Sequence, residues 1–306
     1  VIPREGTDWS FSFNFSDIDG DGDNDLLLCS DFVTSQVHLN NGDGTFTDIT
    51  DRAVIVDQNG MGGAVADFAH DGDMDWFVTS IYDLDYGGNR FGNRLYRNSG
   101  GGVFEDVTLE PVDDGAWGWG TCAADFDNDT HVDIVHVNGW LYEDDNGKSY
   151  QNIPVRFFHN QGSNDMRFRE RAVEFGLEND SEGRGIVCFD ADRDGDVDLV
   201  ISNNFVDNVV FYRNDTDNDN HYLSIRLAGK GANTFGVGAH VAVATDEVTQ
   251  VRELGGTSNY VSHNPLEAHV GLGSAAVASV TVRWPDGTTT TLDAVEADQL
   301  LTISQP

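Results

Sequence analysis

Asp17-Ile18-Asp19-Gly20-Asp21-Gly22-Asp23-Asn24-Asp25 places a carboxylate at every second position for nine residues. The pattern returns as Asp67-Phe-Ala-His-Asp71-Gly-Asp73-Met-Asp75, as Asp125-Phe-Asp127-Asn-Asp129-Thr-His131-Val-Asp133, and as Asp190-Ala-Asp192-Arg-Asp194-Gly-Asp196-Val-Asp198. Carboxylates this dense repel one another unless a cation lies among them. An oxygen-rich set suits a hard divalent ion, calcium first. In an extended strand alternate side chains point to opposite sides, so chelation requires the chain to curl until positions one, three and five converge. A glycine at position six permits that turn.

On this reading Asp17, Asp19, Asp21 and Asp25 bind through their side chains and Asp23 mainly through its carbonyl. The corresponding residues of the other loops are Asp67, Asp71, Asp73 and Asp75; Asp125, Asp127, Asp129, His131 and Asp133; and Asp190, Asp192, Asp194, Asp196 and Asp198. About four Ca2+ sites follow, with the Asp67 loop weakest because Ala69 removes a ligand. Loop three has Thr130 where the turn glycine belongs and His131 at the carbonyl position. An EF-hand needs a glutamate at position twelve and flanking helices. Here that position holds Leu28, Val78, His136 and Ile201, each inside a strand-like run. The alternative for one such loop is a solvated turn; four in register at a regular spacing favour metal, in a structural role.

The repeat extends beyond the loops. Each is preceded by a run such as Gly60-Met-Gly-Gly-Ala-Val-Ala, and followed by an apolar run such as Trp76-Phe-Val-Thr. A third strand then ends in asparagine, at Asn40, Asn98, Asn160 and Asn214. In the first three repeats a glycine-rich turn leads on to Phe46, Phe104 or Phe168. Loop spacings of 50, 58 and 65 residues are the period of a propeller blade of short strands. Insertions at residues 83–94 and 142–154 belong on blade edges.

The fold expected is all-β: propeller-type blades over residues 1–214, four of them legible, each with a calcium loop. An acidic hinge over 215–220 and a small β-sandwich-like domain over 221–306 follow. In that last part, six or seven strands include Tyr222–Leu227, His240–Ala244, Gln250–Leu254, Val277–Trp284 and Leu300–Ser304.

These repeats resemble FG-GAP/VCBS repeats. The C-terminal part, through Tyr222-Leu-Ser-Ile-Arg-Leu, Gly236-Val-Gly-Ala-His-Val, Gly271-Leu-Gly and Val282-Arg-Trp-Pro-Asp-Gly, resembles the ASPIC/UnbV domain. Together they resemble the cartilage acidic protein family, which implies a calcium-loop propeller that usually closes with seven blades. Four blades leave closure to upstream blades, to another chain or to a smaller ring, and an unclosed array leaves an edge strand open for pairing.

A net charge of −36 excludes nucleic acid and anionic membrane surfaces as partners. The four loops hold 18 of the 53 acidic residues, so four divalent cations would offset only a fraction of that charge. The excess, with two lysines against fifteen arginines, fits exposure to high salt. No apolar run is long enough to span a bilayer. The chain opens Val1-Ile-Pro without Met, as a processed chain or a fragment with any export signal upstream. Cys29, Cys122 and Cys188, odd in number and far apart, are expected as buried free thiols.

Catalytic motifs are missing: no HExxH, GxSxG or P-loop. The histidines are scattered, with His240, His263 and His269 the set that could cluster. Trp117 and Trp119 suit blade packing, or else a sugar-binding face. Asn14, Asn128, Asn179 and Asn214 open glycosylation sequons. The expectation is a secreted or cell-surface calcium-binding protein of adhesion or extracellular assembly, such as a filament or coat subunit. Its partners would be copies of itself, another surface protein or a glycan. The alternative is a propeller enzyme, a lyase or cyclase acting on a sugar or lipid in a central pocket. A third reading is a ligand-binding domain of a larger receptor-like protein.

Overall fold

Each acidic loop closes a two-strand hairpin. In a computed structural model the residue before each loop pairs with the loop's ninth residue in one register: Ser16 with Asp25, Ala66 with Asp75, Ala124 with Asp133 and Phe189 with Asp198. The structure describes residues 9–82, 91–143, 147–162, 165–204, 208–255 and 258–306, and every regular element among them is a strand. Of the two predicted insertions, residues 83–90 and 144–146 lie outside the described residues.

Blade one is β1 (Ser10–Ser16), β2 (Asp25–Ser30), β3 (Gln36–Asn40) and β4 (Phe46–Asp48). Blade two is β5 (Gly63–Ala66), β6 (Asp75–Val78), β7 (Arg94–Asn98) and β8 (Phe104–Asp106). Blade three is β9 (Gly118–Ala124), β10 (Asp133–Asn138), β11 (Arg156–Asn160) and β12 (Phe168–Glu170). Blade four has, among the described residues, three strands, β13 (Gly183–Phe189), β14 (Asp198–Asn203) and β15 (Val210–Tyr212). All are antiparallel meanders in sequence order, the arrangement of propeller blades.

Neighbouring blades share apolar cores. Trp76, Tyr96 and Met74 of blade two pack on Ile18, Leu27 and Val37 of blade one. Phe158 and Ile134 of blade three pack on Phe77 and Leu95 of blade two, and Leu199 and Ile201 of blade four on Val135 and Phe157 of blade three. Each such buried side chain contributes roughly 1.5–3 kcal/mol. The inner strands line up as an open arc, β1 against β5, β5 against β9 and β9 against β13.

The C-terminal part is a sandwich. It contains β16 (His221–Ala228), β17 (His240–Ala244), β18 (Thr249–Glu253), β19 (Ser258–Asn259), β20 (Ser262–His263), β21 (Ala268–Gly273), β22 (Val277–Arg283), β23 (Thr289–Glu296) and β24 (Gln299–Ser304). One sheet has the order β21–β16–β24, with β16 and β24 parallel, and the other β18–β17–β22–β23. Alternate residues of both face one core, including Leu223, Ile225, Val241, Val243, Val280, Val282 and Trp284. Beyond the six or seven strands expected stands the short hairpin β19–β20. It enters the arc, β19 lying on β1, β5 and β9 and β20 on β13.

The expectation of three free thiols is corrected. Cys122 on β9 and Cys188 on β13 are joined as a disulfide, with Cα atoms 6.3 Å apart, because the repeat brings residues 66 positions apart onto adjacent inner strands. Cys29 is free and buried, and desolvation pushes its thiol pKa up.

Candidate metal-binding loops

The curl expected of the loops is present, and it uses two left-handed residues in each. At position six Gly22, Gly72, Thr130 and Gly195 have φ of 100°, 88°, 87° and 99°. At position four Gly20, His70, Asn128 and Arg193 have φ of 80°, 56°, 57° and 68°. The first requirement is signalled by glycine in three loops. The second is not, since four different residue types meet it.

The carboxylates at positions one and nine hold the curl. The position-six N–H donates to the first aspartate in every loop, at 3.0 Å to Asp17, 3.1 Å to Asp67, 2.8 Å to Asp125 and 3.1 Å to Asp190. The ninth aspartate accepts two backbone N–H groups from different strand ends. Asp25 takes those of Ile18 and Asn40, and Asp75, Asp133 and Asp198 repeat the pair. Thus Asp25, Asp75, Asp133 and Asp198 tie the second and third strands of their blades, a role their spacing did not announce.

Three loops gather groups that could hold a metal ion. These are Asp17, Asp19 and Asp25; Asp125, Asp127 and Asp133; and Asp190, Asp192 and Asp194, each with ligand atoms within 4.8 Å of one another. Asp127 and Asp129 also approach His159, whose Nε2 lies 3.0 Å from Asp127 Oδ2. Loop two forms no such group among the described residues. Ala69 offers no ligand there, and Asp71 is taken by Arg97 at 2.7 Å. The His131 ring stands apart from the loop-three cluster, stacked on His70 with centroids 4.8 Å apart. Asp21 and Asp23 are local, Asp21 Oδ1 accepting the N–H of Asp23 at 2.9 Å.

The electrostatics favour a cation. Burial, with neighbouring carboxylates adding to it, pushes Asp25 up to about 7 and Asp75 up to about 8. Asp125 and Asp133 are raised well above the usual carboxylate range by the same causes. The Asp17 side chain is buried, and its Oδ1 has no hydrogen-bond partner.

Residues of the C-terminal sandwich face every loop. Arg283 and His240 approach Asp17 Oδ2 at 2.7 and 3.4 Å. Arg252 faces Asp67 and Asp125. Its guanidinium donates to His269 O, Val251 O and Gln250 Oε1, and desolvation lowers its pKa while the two aspartates raise it. His269 Nε2 meets Asn128 Oδ1 at 2.8 Å, and Gly271 lies so close to Asp125 that a side chain there would have no room. At loop four, Arg193 pairs with Glu267. Of the segment 215–220, Asn218 and Asn220 both donate to Asp127 O, at 2.8 and 2.9 Å.

Beside the inner strands, where a central pocket would open, β18 lies on β5 and the β19–β20 hairpin on β1, β5, β9 and β13. A cavity of about 120 Å³ remains, lined in part by Arg252, His263 and His269, smaller than the roughly 300–1,000 Å³ of ligand pockets. Of the three C-terminal histidines, His240 points away to Asp17 and Glu253. Trp119 is buried, and Trp117 stacks on Trp140 at 4.9 Å, so both pack rather than line an open face. The sequon residues Asn14, Asn128 and Asn179 are buried, and Asn214 Nδ2 is bound to Phe126 O. No helix of the described residues is long and apolar enough to cross a membrane.

The FG-GAP-like repeat profile matches residues 17–78 and 82–136, and the ASPIC and UnbV profile matches residues 229–306. Cartilage acidic protein 1 of Homo sapiens is 30% identical over 256 residues, covering 81% of this chain and 36% of that protein. Its Mus musculus counterpart is 30% identical over 81% of this chain and 37% of its own length. The Xenopus tropicalis protein is 28% identical over 87% and 40% respectively. The chain therefore spans less than half the length of the curated relatives it matches.

Proposed function

Since this chain belongs to the FG-GAP-repeat proteins that carry an ASPIC and UnbV domain, we propose that it is a secreted or cell-surface calcium-binding module of adhesion or extracellular assembly. Its partners on this reading are copies of itself, another surface protein or a glycan. The observation that carries the calcium reading is Asp17. Its buried, unpartnered Oδ1 stands in a loop where Asp19 and Asp25 bring further carboxylate oxygens within 4.8 Å. A buried carboxylate oxygen without a donor is costly, and a bound cation removes that cost. Asp17, Asp19 and Asp25 would hold one ion, Asp125, Asp127 and Asp133 a second, and Asp190, Asp192 and Asp194 a third. Loop two, with Asp67, Asp71, Asp73 and Asp75, would be a fourth and weakest site.

The ions would supply fixed positive charge at hairpins that touch both the blades and the C-terminal sandwich. Affinities of about 10⁻⁴–10⁻³ M suit an extracellular module, and the Cys122–Cys188 disulfide suits an oxidising compartment. The test is thermal unfolding and titration calorimetry with calcium and with a chelator. Calcium is expected to raise the melting temperature and to release or absorb measurable heat at more than one site. An unchanged melting temperature together with no binding heat would remove the calcium reading. Sedimentation in calcium, alone and with candidate glycans, tests the assembly part separately.

A further inference from the structure

Blades one to three each end in an outer strand that begins with phenylalanine: Phe46 in β4, Phe104 in β8 and Phe168 in β12. Where a preceding blade is present, that ring is buried between the two blades. Phe104 is 8% exposed in the core shared with blade one. Phe168 is 6% exposed in the core shared with blade two, 6.0 Å from Phe68. The outer strands pair in one register, Phe104 opposite Asn98 and Phe168 opposite Asn160.

Among the described residues, blade four has the slot without the strand. After Asn214 the chain leaves for the C-terminal sandwich, and among the described residues β15 pairs with β14 alone. The frame around the slot is otherwise repeated. Asn214 Nδ2 donates to Phe126 O at 2.7 Å, as Asn98 does to Ile18 O at 2.8 Å and Asn160 to Phe68 O at 3.3 Å. Where the phenylalanine would enter lies a cavity of about 330 Å³, lined by Phe126, Phe157, Leu177, Leu199, Tyr212 and Arg213 among others. Phe126 follows the first aspartate of its loop, as Phe68 does in the loop that receives Phe168.

We propose that blade four accepts a strand from a different protein, not a second copy of this chain: an extended Phe-acidic-acidic segment antiparallel to β15 with its phenylalanine seated against Phe126. The three outer strands of this chain are the template for the aromatic. Charge supplies the next residue. Arg213 occupies the place of Arg97, which stands opposite Glu105 in blade two. Arg213 meanwhile pairs at the surface with Asp215 at 2.7 Å, an exposed contact that exchanges at little cost. Main-chain pairing along the free edge would give affinity, and the aromatic slot selectivity. This inference does not rest on the metal content of the loops.

The experiment titrates the full chain into a fluorescein-labelled peptide with the sequence of residues 101–108, Gly-Gly-Val-Phe-Glu-Asp-Val-Thr, and reads anisotropy. Saturable binding is expected, weakened about tenfold or more when the peptide phenylalanine becomes serine. Arg213→Glu in the protein, an exposed change, is expected to weaken binding several-fold. Equal binding of the two peptides, or no saturation at millimolar protein, overturns the proposal. So does a protein dimer that the peptide dissociates, because the occupant would then be a second copy of this chain. Melting with and without calcium is measured on the same samples, so loss of the calcium reading would be seen separately.

Discussion

Arg283 Nη2 lies 2.7 Å from Asp17 Oδ2, so a strand of the C-terminal sandwich ends on the first carboxylate of the first acidic loop. The two residues are 266 positions apart. Loops two and three meet the sandwich through Arg252, and loop four through Arg193 and Glu267. At loops one to three the sandwich therefore places cationic side chains where the blades concentrate negative charge, and at loop four it sets a carboxylate against the loop's own arginine.

Arg283→Gln removes one of these cations from Asp17. The guanidinium binds Oδ2, while Oδ1 is the free oxygen. A cation arriving at Oδ1 is repelled by a positive charge a few ångströms away, by on the order of 1 kcal/mol at a solvent-like dielectric. Calcium affinity of loop one is expected to rise about fivefold in the variant, read by calorimetry at low salt. A fall instead would mean that Arg283 serves to position Asp17.

Thr130 occupies a conformation that glycine holds in the other three loops, at φ 87°. A β-branched residue there is strained, by roughly 1–2 kcal/mol, against a smaller entropic cost of glycine in the unfolded chain. Thr130→Gly is expected to stabilise the protein by about 1 kcal/mol in urea unfolding. Gly72→Ala is the converse. A Cβ at Gly72 meets nothing within 4 Å, so its expected loss of about 1 kcal/mol reports backbone conformation alone.

Tyr96→Phe tests the seam between blades one and two. The Tyr96 hydroxyl donates to Asp57 Oδ1 at 2.9 Å and accepts the N–H groups of Val56 and Asp57 at 3.0 and 2.9 Å. Asp57 is buried, and its remaining oxygen is held by Ser35 Oγ at 2.5 Å. Removing the hydroxyl leaves a buried carboxylate oxygen and two backbone donors short of a partner. The expected cost is about 3 kcal/mol, measured as a lower urea midpoint with an unchanged slope.

The blades were legible because their signal is local. A hairpin loop of nine residues between two apolar runs fixes its own geometry, and its return at blade spacing fixes the sheet order. Three-dimensional proximity across repeats was not legible. Cys122 and Cys188 are 66 residues apart, one blade period, yet the odd number of cysteines and their wide separation read as free thiols, because a repeat spacing gives neighbouring blades and not which side chains face each other. The approach of His159 to Asp127 depends on β11 pairing with β10, which the loop sequence does not show, whereas His131 lies within the loop itself. The packing of the hairpin on the inner strands was hidden for the same reason. Arg252 and the β19–β20 hairpin lie far along the chain from the loops and inner strands they meet.

His136 sets an expected pH dependence. It is buried on β10, where its Nδ1 donates to Val137 O and its Nε2 accepts from Asn93 Nδ2 at 3.2 Å, so the neutral ring is the form the site satisfies. Phe77 and Phe158 pack on it, and Arg156, opposite on β11, adds a positive charge. Desolvation, with Arg156 contributing in the same direction, lowers its pKa from 6.5 to about 3. Between those limits the unfolded chain binds a proton that the folded protein does not. The stabilising contribution is therefore present above pH 6.5 and is lost as pH falls, with a slope of up to about 1.4 kcal/mol per pH unit. With calcium in excess, the stability of the protein is expected to fall between pH 6.5 and 4.5. His136→Gln should be less stable at pH 7.5 and should show a slope flatter by close to one proton. Equal slopes for the two proteins, measured by urea unfolding across that range, would assign the acid sensitivity to other groups.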